Sequence, residues 1–385
     1  MKAFCTDSGR IQYRCAESII THVLFSRRVN SPGVFAHLSV TLKLHDHKGD
    51  PPHMLIVTGG AGFIGSNLVH ELNAHGISDI LIVDNLSNTK KFFNLHGARY
   101  IDFMDKREFR RAIAANALGA GEIEAILHQG ACSNTLEDDG VYMMDNNFQY
   151  SKEVLAFSIL QGSPLVYAST AAVYGLSGPG HFTPTIENER PLNIYGYSKL
   201  VFDHYFRNEV ALDRVPIPAV GLRYFNVYGP REQHKGRMAS VIHHFSKQIK
   251  EEGKVSLFAG TGNFGDGEQR RDFVYVRDLA LQNMLFAQIG PFAPKAGEAR
   301  KQYRGVVNAG TGVSRTFNDV ARALMRVHGK VPIEYIPFPA DLKGRYQHFT
   351  EADLTGLRQL GCDLPTTALE EGIVQTYATL AAIED

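Results

Sequence analysis

The feature that most constrains this chain is a run of three glycines spaced G-x-x-G-x-x-G, at Gly59, Gly62 and Gly65. The apolar run MLIV (54–57) precedes it and an apolar-periodic segment (63–72) follows, which predicts a buried strand, a tight turn and a helix. Glycine suits such a turn because the backbone bends sharply and lies against a pyrophosphate, to which the helix start offers free N–H groups. The pattern therefore favours a dinucleotide site over a purely structural turn.

The segment after this turn completes the expected unit. A second apolar run, ILIV (80–83), ends at Asp84, roughly 20 residues after Gly65, where an acid meets the adenosine ribose in such sites. Two lysines, Lys90 and Lys91, follow in a polar loop.

Composition excludes several classes of protein. The 385 residues contain 40 Lys plus Arg and 40 Asp plus Glu, so we expect neither nucleic acid nor a membrane surface as a partner. No apolar run approaches the length of a membrane span. The cysteines form no C-x-x-C motif, which argues against a disulfide framework or a metal site and favours the cytoplasm. They are Cys5, Cys15, Cys132 and Cys362.

Residues 1–53 differ in character from the rest of the chain. They show no sustained hydrophobic period, and their one apolar patch, 19–25, is too short and interrupted for a signal peptide. Met54 stands where a chain of this kind usually begins. We expect 1–53 to be an extension that is disordered or lies upstream of the native start; a small added structural element is the alternative.

From Met54 onward, strand and helix patterns alternate. Further strands are predicted at 98–103, 123–128 and 164–170, and a helix is predicted to open at Asn146–Asn147. Parallel strands joined by crossover helices predict an α/β fold with a doubly wound parallel sheet of the Rossmann type. Ligands bind such sheets at the carboxyl ends of the strands, where Gln129, Gly130, Ala131, Ser169 and Thr170 fall.

The same patterns suggest two domains. Residues 54–225 are predicted to form the dinucleotide-binding domain, with later returns to it near 273–285 and 305–325. Residues 226–385 are predicted to form mainly a smaller, mixed α/β substrate-binding domain.

Tyr195 and Lys199 are candidate catalytic residues. They are four residues apart in a helical pattern and so share one face. A phenol with a pKa of about 10 is a poor base, but a neighbouring ammonium favours the phenolate, and the same lysine can bind a ribose. The hydroxyl of Thr170 is expected to hold the substrate oxygen. Given the glycine turn upstream, we favour catalysis over a surface tyrosine and a solvated lysine.

Two basic segments follow in the second half. The run QHKGR (233–237) contains Lys235, which from residue type alone is either a phosphate contact or solvated, and His244 on the next helix is ligand or surface. Arg270 and Arg271 follow a glycine-rich loop (259–267) and suit a substrate-borne phosphate, with a solvated turn as the alternative.

Taken together, these residues resemble the extended short-chain dehydrogenase/reductase superfamily of nucleotide-sugar enzymes. The shared marks are GGAGFIG (59–65), the Tyr195/Lys199 pair and RDFVYV (271–276). Within it, the chain is most similar to the ADP-L-glycero-D-manno-heptose 6-epimerase family, from Met54 almost to the C-terminus. The distinguishing stretches are HQGACSNT (128–135), YMMDNN (142–147), GYSKLVFD (196–203), RYFNVYGPREQHKG (223–236) and IEYIPFPADLKGRYQ (333–347).

The resemblance implies an isomerase. Its reaction is epimerisation of ADP-D-glycero-D-manno-heptose at C6, by transient oxidation and re-reduction with tightly bound NADP, in the synthesis of lipopolysaccharide core heptose precursors. It also implies a cytoplasmic homo-oligomer, a homopentamer. Inversion needs proton transfer on both faces of the sugar carbon. The family uses a lysine opposite the tyrosine, and that lysine matches Lys235.

The resemblance also assigns contact residues. Besides the three glycines, cofactor contacts are expected from Phe63, Ile64, Asp84, Asn85, Lys91, Lys106, Gln129, Gly130, Ala131, Cys132, Ser133, Asn146, Lys199, Val227 and Lys235. Substrate contacts are expected from Asn226, Arg237, His244, Phe258, Ala259, Gly260, Thr261, Arg271 and Tyr346.

Three positions depart from the family pattern. The family often has Glu at Gln129 and Ser at Thr170 and Arg237. Thr170 keeps the hydroxyl, whereas Arg237 is larger and charged, and suits a phosphate. The residues expected near the adenosine ribose favour different cofactors. Asp84 alone favours NAD. Lys91 and Asn85 offset its repulsion of a 2′-phosphate, so we expect NADP, with NAD as the second choice.

The same motifs allow three other functions. A 4,6-dehydratase commonly carries an acid directly after the strand-end hydroxyl, whereas Thr170 is followed by two alanines. A UDP-hexose 4-epimerase shares the catalytic residues and is disfavoured only by the substrate-domain stretches. A catalytically silent dinucleotide sensor that binds protein partners is disfavoured because Tyr195 and Lys199 are both present.

Overall fold

The computed structural model describes residues 54–118, 123–339 and 346–384, together with strands β1 (Lys2–Cys5) and β2 (Ile11–Arg14). These two strands pair antiparallel in a unit of their own. Apart from them, the expectation of a disordered extension or non-native start over 1–53 lies outside the described residues. In the described part of the chain, no helix is both long enough and apolar enough for a membrane span.

The remaining strands and helices alternate along the chain. The strands are β3 (Met54–Thr58), β4 (Ile80–Asp84), β5 (Asp102–Asp105), β6 (Ile123–His128), β7 (Leu165–Thr170), β8 (Ala219–Tyr224), β9 (Asn226–Tyr228), β10 (Val255–Phe258), β11 (Arg270–Tyr275), β12 (Arg304–Ala309), β13 (Ser314–Thr316) and β14 (Ile333–Ile336). The α-helices are α1 (Phe63–Ala74), α2 (Lys106–Ala114), α3 (Gly140–Met143), α4 (Tyr150–Gln161), α5 (Ile194–Ala211), α6 (Val241–Glu252), α7 (Val276–Ala287), α8 (Phe317–His328), α9 (Thr355–Gln359) and α10 (Leu369–Glu384).

Seven strands form one parallel sheet in the order β12-β8-β7-β6-β3-β4-β5. The chain enters at β3, winds outward to β5, then crosses to β6 and winds to the opposite edge. The order of strands therefore reverses between β3 and β6, which is where ligands bind in open parallel sheets. The predicted doubly wound parallel sheet is confirmed.

The central strand β3 shows how the sheet is buried on both faces. Leu55 and Val57 point into a core shared with helices α1 and α7. Met54 and Ile56 point into a second core shared with α2, α4 and α5. Because side chains alternate between faces with period two, an unbroken apolar strand suits a sheet covered on both sides.

A second lobe adjoins this sheet. It contains the parallel pair β10–β14, the small sheet β13-β11-β9 and helices α6, α8 and α10, which share a third apolar core. Of the expected returns to the dinucleotide domain, α7 packs on the large sheet and β12 extends it, whereas α8 packs on α6 and α10 in the second lobe. The expected division into two domains stays a prediction.

Two predicted boundaries are wrong. The third strand is Asp102–Asp105 rather than 98–103, since the Arg99 N–H donates to Asn73 Oδ1 on α1 at 2.6 Å and ties the preceding segment to that helix. The helix predicted to open at Asn146 begins earlier, at Gly140, because the Asp139 carboxylate accepts the Tyr142 N–H at 2.9 Å. Between α3 and α4, residues Met144–Gln149 form a π-helical turn that buries Asn146 and Asn147.

Candidate active site

A cavity of about 860 Å³ lies at the carboxyl ends of the central strands and reaches into the second lobe. Most of the residues predicted from sequence line it. They are Gly59, Gly62, Phe63, Ile64, Gly65, Asp84, Asn85, Lys91, Lys106, Gln129, Gly130, Ala131, Ser133, Asn146, Thr170, Tyr195, Lys199, Asn226, Val227, Lys235, His244, Phe258, Arg271 and Tyr346.

The glycine turn forms the floor of the cavity. Gly59 has φ +67°, and a Cβ there would lie 2.8 Å from the backbone of Gly130. A Cβ on Gly65 would lie 2.1 Å from the Gly59 carbonyl oxygen, so both positions exclude any side chain. Gly62 begins α1 without a side-chain cap, and the first helical turn has no acid. The free N–H groups of this turn suit a pyrophosphate, so the cradle fits the dinucleotide predicted for it.

Asp84 and Lys91 form an ion pair at the end of β4. The Asp84 side chain is 6% exposed and accepts the Ala61 N–H at 2.9 Å and the Asn85 N–H at 2.7 Å. Lys91 Nζ donates to Asp84 Oδ1 at 2.8 Å and to the Asn85 carbonyl oxygen at 3.3 Å. The lysine therefore neutralises the carboxylate expected to face the adenosine ribose, which reduces its repulsion of a 2′-phosphate.

A chain of buried polar groups supports the cavity wall next to the glycine turn. The Gly130 N–H donates to Thr58 Oγ1 at 3.1 Å, and that hydroxyl lies 2.6 Å from His128 Nδ1. On the other side of the ring, His128 Nε2 lies 3.0 Å from the Ser151 hydroxyl, which donates to the Asn147 carbonyl oxygen at 2.6 Å. Burial lowers the pKa of His128 to about 3, so the ring is neutral and fixes this wall without adding charge.

Tyr195 and Thr170 lie side by side in the cavity wall. Asn193 caps α5 by accepting the Gly196 N–H at 2.8 Å, which places Tyr195 in the first helical turn beside the end of β7. Desolvation raises the pKa of the Tyr195 phenol, and the Thr170 hydroxyl lowers it in part. A protonated phenol such as Tyr195, with the Thr170 hydroxyl beside it, can donate a proton to a substrate oxygen that lies between the two groups.

Lys199 follows Tyr195 by four residues on α5 and is 4% exposed. Its ammonium donates to the Ala168 carbonyl oxygen at 2.8 Å, and desolvation lowers its pKa to about 8. Lys199 is not among the groups that shift the pKa of Tyr195 in this arrangement, so its effect on the phenol stays a prediction. The ammonium is directed at strand β7, and the pKa of the phenol is raised.

Lys235 approaches the cavity from a loop over α1. Its Nζ lies 5.1 Å from the centre of the Phe63 ring. Desolvation lowers the pKa of Lys235, and the Glu232 carboxylate raises it in part. A desolvated lysine loses its proton more easily than a solvated one, so this position suits a base as well as an acid.

Arg271 marks the substrate end of the cavity. It is 6% exposed and stacks 4.8 Å from the Tyr346 ring centre, and its Nη1 donates to the Arg270 carbonyl oxygen at 2.9 Å. Among the described residues no carboxylate pairs with it, and desolvation lowers its pKa. An unpaired buried guanidinium is costly unless an anion binds it, so this residue points to a phosphate.

Five predicted contact residues lie outside the cavity lining, namely Cys132, Arg237, Ala259, Gly260 and Thr261. The Cys132 N–H donates to Asn147 Oδ1 at 2.8 Å, and the Cys132 carbonyl oxygen accepts from Asn147 Nδ2 at 3.0 Å. Arg237 is exposed. The N–H groups of Ala259 and Gly260 donate to the Ile336 carbonyl oxygen on β14 and to Asp266, at 2.8 and 2.7 Å, so both donors already have partners within the protein. Only Phe258, at its start, reaches the cavity.

Some residues that line the cavity are not among those predicted from the sequence. His234 is adjacent to Lys235, and Gln248 lies one helical turn after His244, so helical spacing predicts it. Gln269 and Phe317 carry no sequence signal. Asn94 lies behind the lining and donates to the Ala61 carbonyl oxygen at 2.9 Å and to His234 Nδ1 at 3.0 Å, which joins the glycine turn to the Lys235 loop.

The fold and site define an enzyme of the short-chain dehydrogenase/reductase type. The sequence profile described as the NAD dependent epimerase/dehydratase family matches residues 55–291. Over 320 residues the chain is 52% identical to an ADP-L-glycero-D-manno-heptose-6-epimerase of Alkalilimnicola ehrlichii, which covers 83% of this chain and 95% of the relative.

Two solved structures agree with this assignment. One is the ADP-L-glycero-D-manno-heptose-6-epimerase of Helicobacter pylori, with TM-score 0.70 and 28% identity over 86% of this chain and 97% of that one. The other is the UDP-glucose 4-epimerase of Thermus thermophilus in complex with NAD, with TM-score 0.66 and 28% identity over 85% and 99%. The chain belongs to the nicotinamide-dinucleotide-dependent epimerase/dehydratase family and, within it, to the ADP-L-glycero-D-manno-heptose-6-epimerases.

Proposed function

We propose that this chain interconverts ADP-D-glycero-D-manno-heptose and ADP-L-glycero-D-manno-heptose by inverting C6, in the synthesis of lipopolysaccharide core heptose precursors. The observation that carries the proposal is that Tyr195 and Lys235, two groups able to transfer protons, reach one cavity from different elements. Inversion requires this, because the hydroxyl proton must leave on one face of C6 and be returned on the other.

The chain's own residues divide the work as follows. Thr170 holds the C6 oxygen while Tyr195 exchanges its proton on one face, and Lys235 does so on the other. Bound NADP supplies reversible hydride transfer, so the reaction has no net redox change. Lys199 binds the nicotinamide ribose, and Arg271 binds the ADP diphosphate with Tyr346 beside it.

The choice of NADP rests on the Lys91–Asp84 ion pair. Because Lys91 neutralises the Asp84 carboxylate, this lysine and the neighbouring polar loop bind a 2′-phosphate. NAD is the second choice, because Asp84 also suits a free 2′-hydroxyl. Binding calorimetry with both dinucleotides tests this, and clearly tighter binding of NAD would overturn it.

Partners and location complete the proposal. We propose that the protein works in the cytoplasm as a homo-oligomer, a homopentamer, without nucleic acid or membrane partners. Sedimentation velocity at several concentrations tests the assembly, and a monomer at all of them would contradict it.

Proton NMR tests the reaction itself. Protein mixed with ADP-D-glycero-D-manno-heptose should produce the C6 epimer, and the Tyr195→Phe variant should lose most of this activity while it still binds NADP. No epimer, with turnover of UDP-hexoses instead, would replace the proposal with a UDP-hexose 4-epimerase. Dinucleotide binding without turnover of either substrate would favour a non-catalytic sensor.

A further inference from the structure

The loop that carries Lys235 has little regular structure of its own. It runs from Glu232 to Ser240 and contains a short 3₁₀ segment, Gln233–Met238, that is broken at Gly236 with φ +54°. Gly236 and Arg237 are exposed. Something other than helix geometry must therefore hold the Lys235 ammonium over the Phe63 ring.

Glu232 closes this loop at its base. Its side chain is 2% exposed, and its carboxylate accepts the Ser240 N–H at 2.5 Å and the Ser240 hydroxyl at 2.6 Å. Ser240 is also the N-cap of α6, where its hydroxyl accepts the His243 N–H at 3.2 Å. The two ends of the loop are thus joined to each other and to the start of a twelve-residue helix.

Glu232 also contacts the lysine's own backbone. Its carbonyl oxygen accepts the Lys235 N–H at 2.9 Å. The residue before it, Arg231, has φ +71°, which a non-glycine residue rarely adopts. Asn67 on α1 holds that turn by donating to the Pro230 carbonyl oxygen at 2.9 Å and accepting from Arg231 Nη1 at 3.2 Å.

The charges around Lys235 are few. Glu232 is the carboxylate that raises its pKa, against the lowering by desolvation. On the other side His234 is near Lys91 and Asp84, and desolvation and the two lysines lower its pKa to about 4, so it is neutral. Desolvation raises the pKa of Glu232, and the Ser240 bonds and the Lys235 ammonium lower it in part.

We propose that Glu232 is a positioning residue for Lys235: its carboxylate fastens the loop to Ser240 and is a negative charge near the ammonium. The inference deepens the proposed function, since it assumes that Lys235 transfers protons. Glu232 itself does not line the cavity, so it acts through Lys235.

The chain offers a matched control. Asp278 is buried on α7 and accepts the Thr367 N–H and the Thr367 hydroxyl, both at 2.7 Å. It forms the same two-bond arrangement with a hydroxyl residue, but its partner Thr367 does not line the cavity, whereas Ser240 does. The test compares Glu232→Ala, Glu232→Gln and Asp278→Asn, each loaded with NADP and checked for a native circular dichroism spectrum.

The first readout does not depend on activity. Hydrogen exchange followed by NMR should show that the Ser240 amide exchanges about tenfold faster or more in Glu232→Ala, and less so in Glu232→Gln, while Asp278→Asn leaves it unchanged. An equally protected Ser240 amide in Glu232→Ala would overturn the inference, whether or not the wild type epimerises ADP-heptose. Absence of epimerisation with the expected exchange would overturn only the proposed function.

The second readout asks whether Glu232 acts through Lys235. Glu232→Ala should lower kcat about tenfold to a hundredfold in the wild-type background, but less than about twofold in Lys235→Met. Glu232→Gln should shift the Lys235 limb of the pH–rate profile to lower pH, because it removes the charge that raises the pKa of Lys235. Additive losses, or an unmoved pH profile, would overturn the inference.

Discussion

The glycine turn and the Lys235 loop face the same cavity but are held in different ways. The turn is held by close main-chain packing, because Gly59 and Gly65 leave no room for a Cβ, and by side-chain bonds from Asp84 and Asn94 to the Ala61 backbone. The loop is fixed by side chains from distant parts of the chain, such as Asn94 and Asn67, and by the Glu232–Ser240 bonds. The difference teaches that the glycines of the turn reveal its close main-chain packing in the sequence, whereas the loop of the second acid/base depends on side-chain bonds that its own residues do not reveal.

The largest effect on the epimerisation rate is expected from removing the acid/base group of the Lys235 loop while the glycine turn stays intact. Lys235→Met should lower the epimerisation rate by about a thousandfold, the size typical of a lost general acid–base group, with NADP affinity nearly unchanged. The rate is measured by NMR and the affinity by calorimetry. Lys247→Met, an exposed lysine on α6, is the control. A rate near that of the control would remove Lys235 from catalysis.

The next largest effect, on NADP affinity, is expected from altering the glycine turn while the Lys235 loop stays intact. Gly65→Ala places a Cβ 2.1 Å from the Gly59 carbonyl oxygen and so must move the pyrophosphate cradle. We expect NADP binding to weaken about tenfold to a hundredfold, as measured by calorimetry. Gly178→Ala, where a Cβ meets nothing within 4 Å, should bind normally. Unchanged affinity in Gly65→Ala would contradict the assignment of the turn.

A smaller effect sharpens the account of the cofactor side. Lys91→Met removes the partner of Asp84, so the bare carboxylate repels a 2′-phosphate. The ratio of NADP to NAD affinity should fall about tenfold, whereas Lys90→Met, at an exposed neighbour, should keep it. Equal ratios in the two variants would show that Lys91 has no part in cofactor choice.

The smallest effect concerns the pH dependence of the free energy of unfolding. It is expected from two histidines, the buried His128 behind the glycine turn and the partly exposed His234 in the Lys235 loop. The pKa is lowered from 6.5 to about 3 for His128 behind the turn and to about 4 for His234 in the loop. Below pH 6.5 the unfolded chain binds protons that the folded chain does not, so the free energy of unfolding falls as pH falls from 6.5 towards these values. His128→Gln should reduce this slope by up to about 1.4 kcal/mol per pH unit, and the partly exposed His234→Gln by less. Urea unfolding measures both slopes, and a larger change in His234→Gln would contradict the account.

Sequence and structure agree best where the signal is local. The strand and helix around the glycine turn follow from adjacent residues, as do strands β4, β6 and β7 to within a residue or two. The role of Lys235 is implied by resemblance, and the sequence does not show that its neighbours His234 and Glu232 form hydrogen bonds with Asn94 and Ser240. The π-helical turn at Asn146 and the paired N–H of Ala259 also lack a signal in the adjacent residues, because their partners Lys106 and Ile336 come from distant parts of the chain.

The central claim is that two acid/base groups serve opposite faces of one sugar carbon. Stopped-flow absorbance at the reduced-nicotinamide band tests it most directly, with each C6 epimer mixed separately with Tyr195→Phe and with Lys235→Met. Each variant should still oxidise one epimer and fail on the other, and the two variants should differ in which one they retain. Failure of both variants on the same epimer, or no preference in either, would contradict the claim.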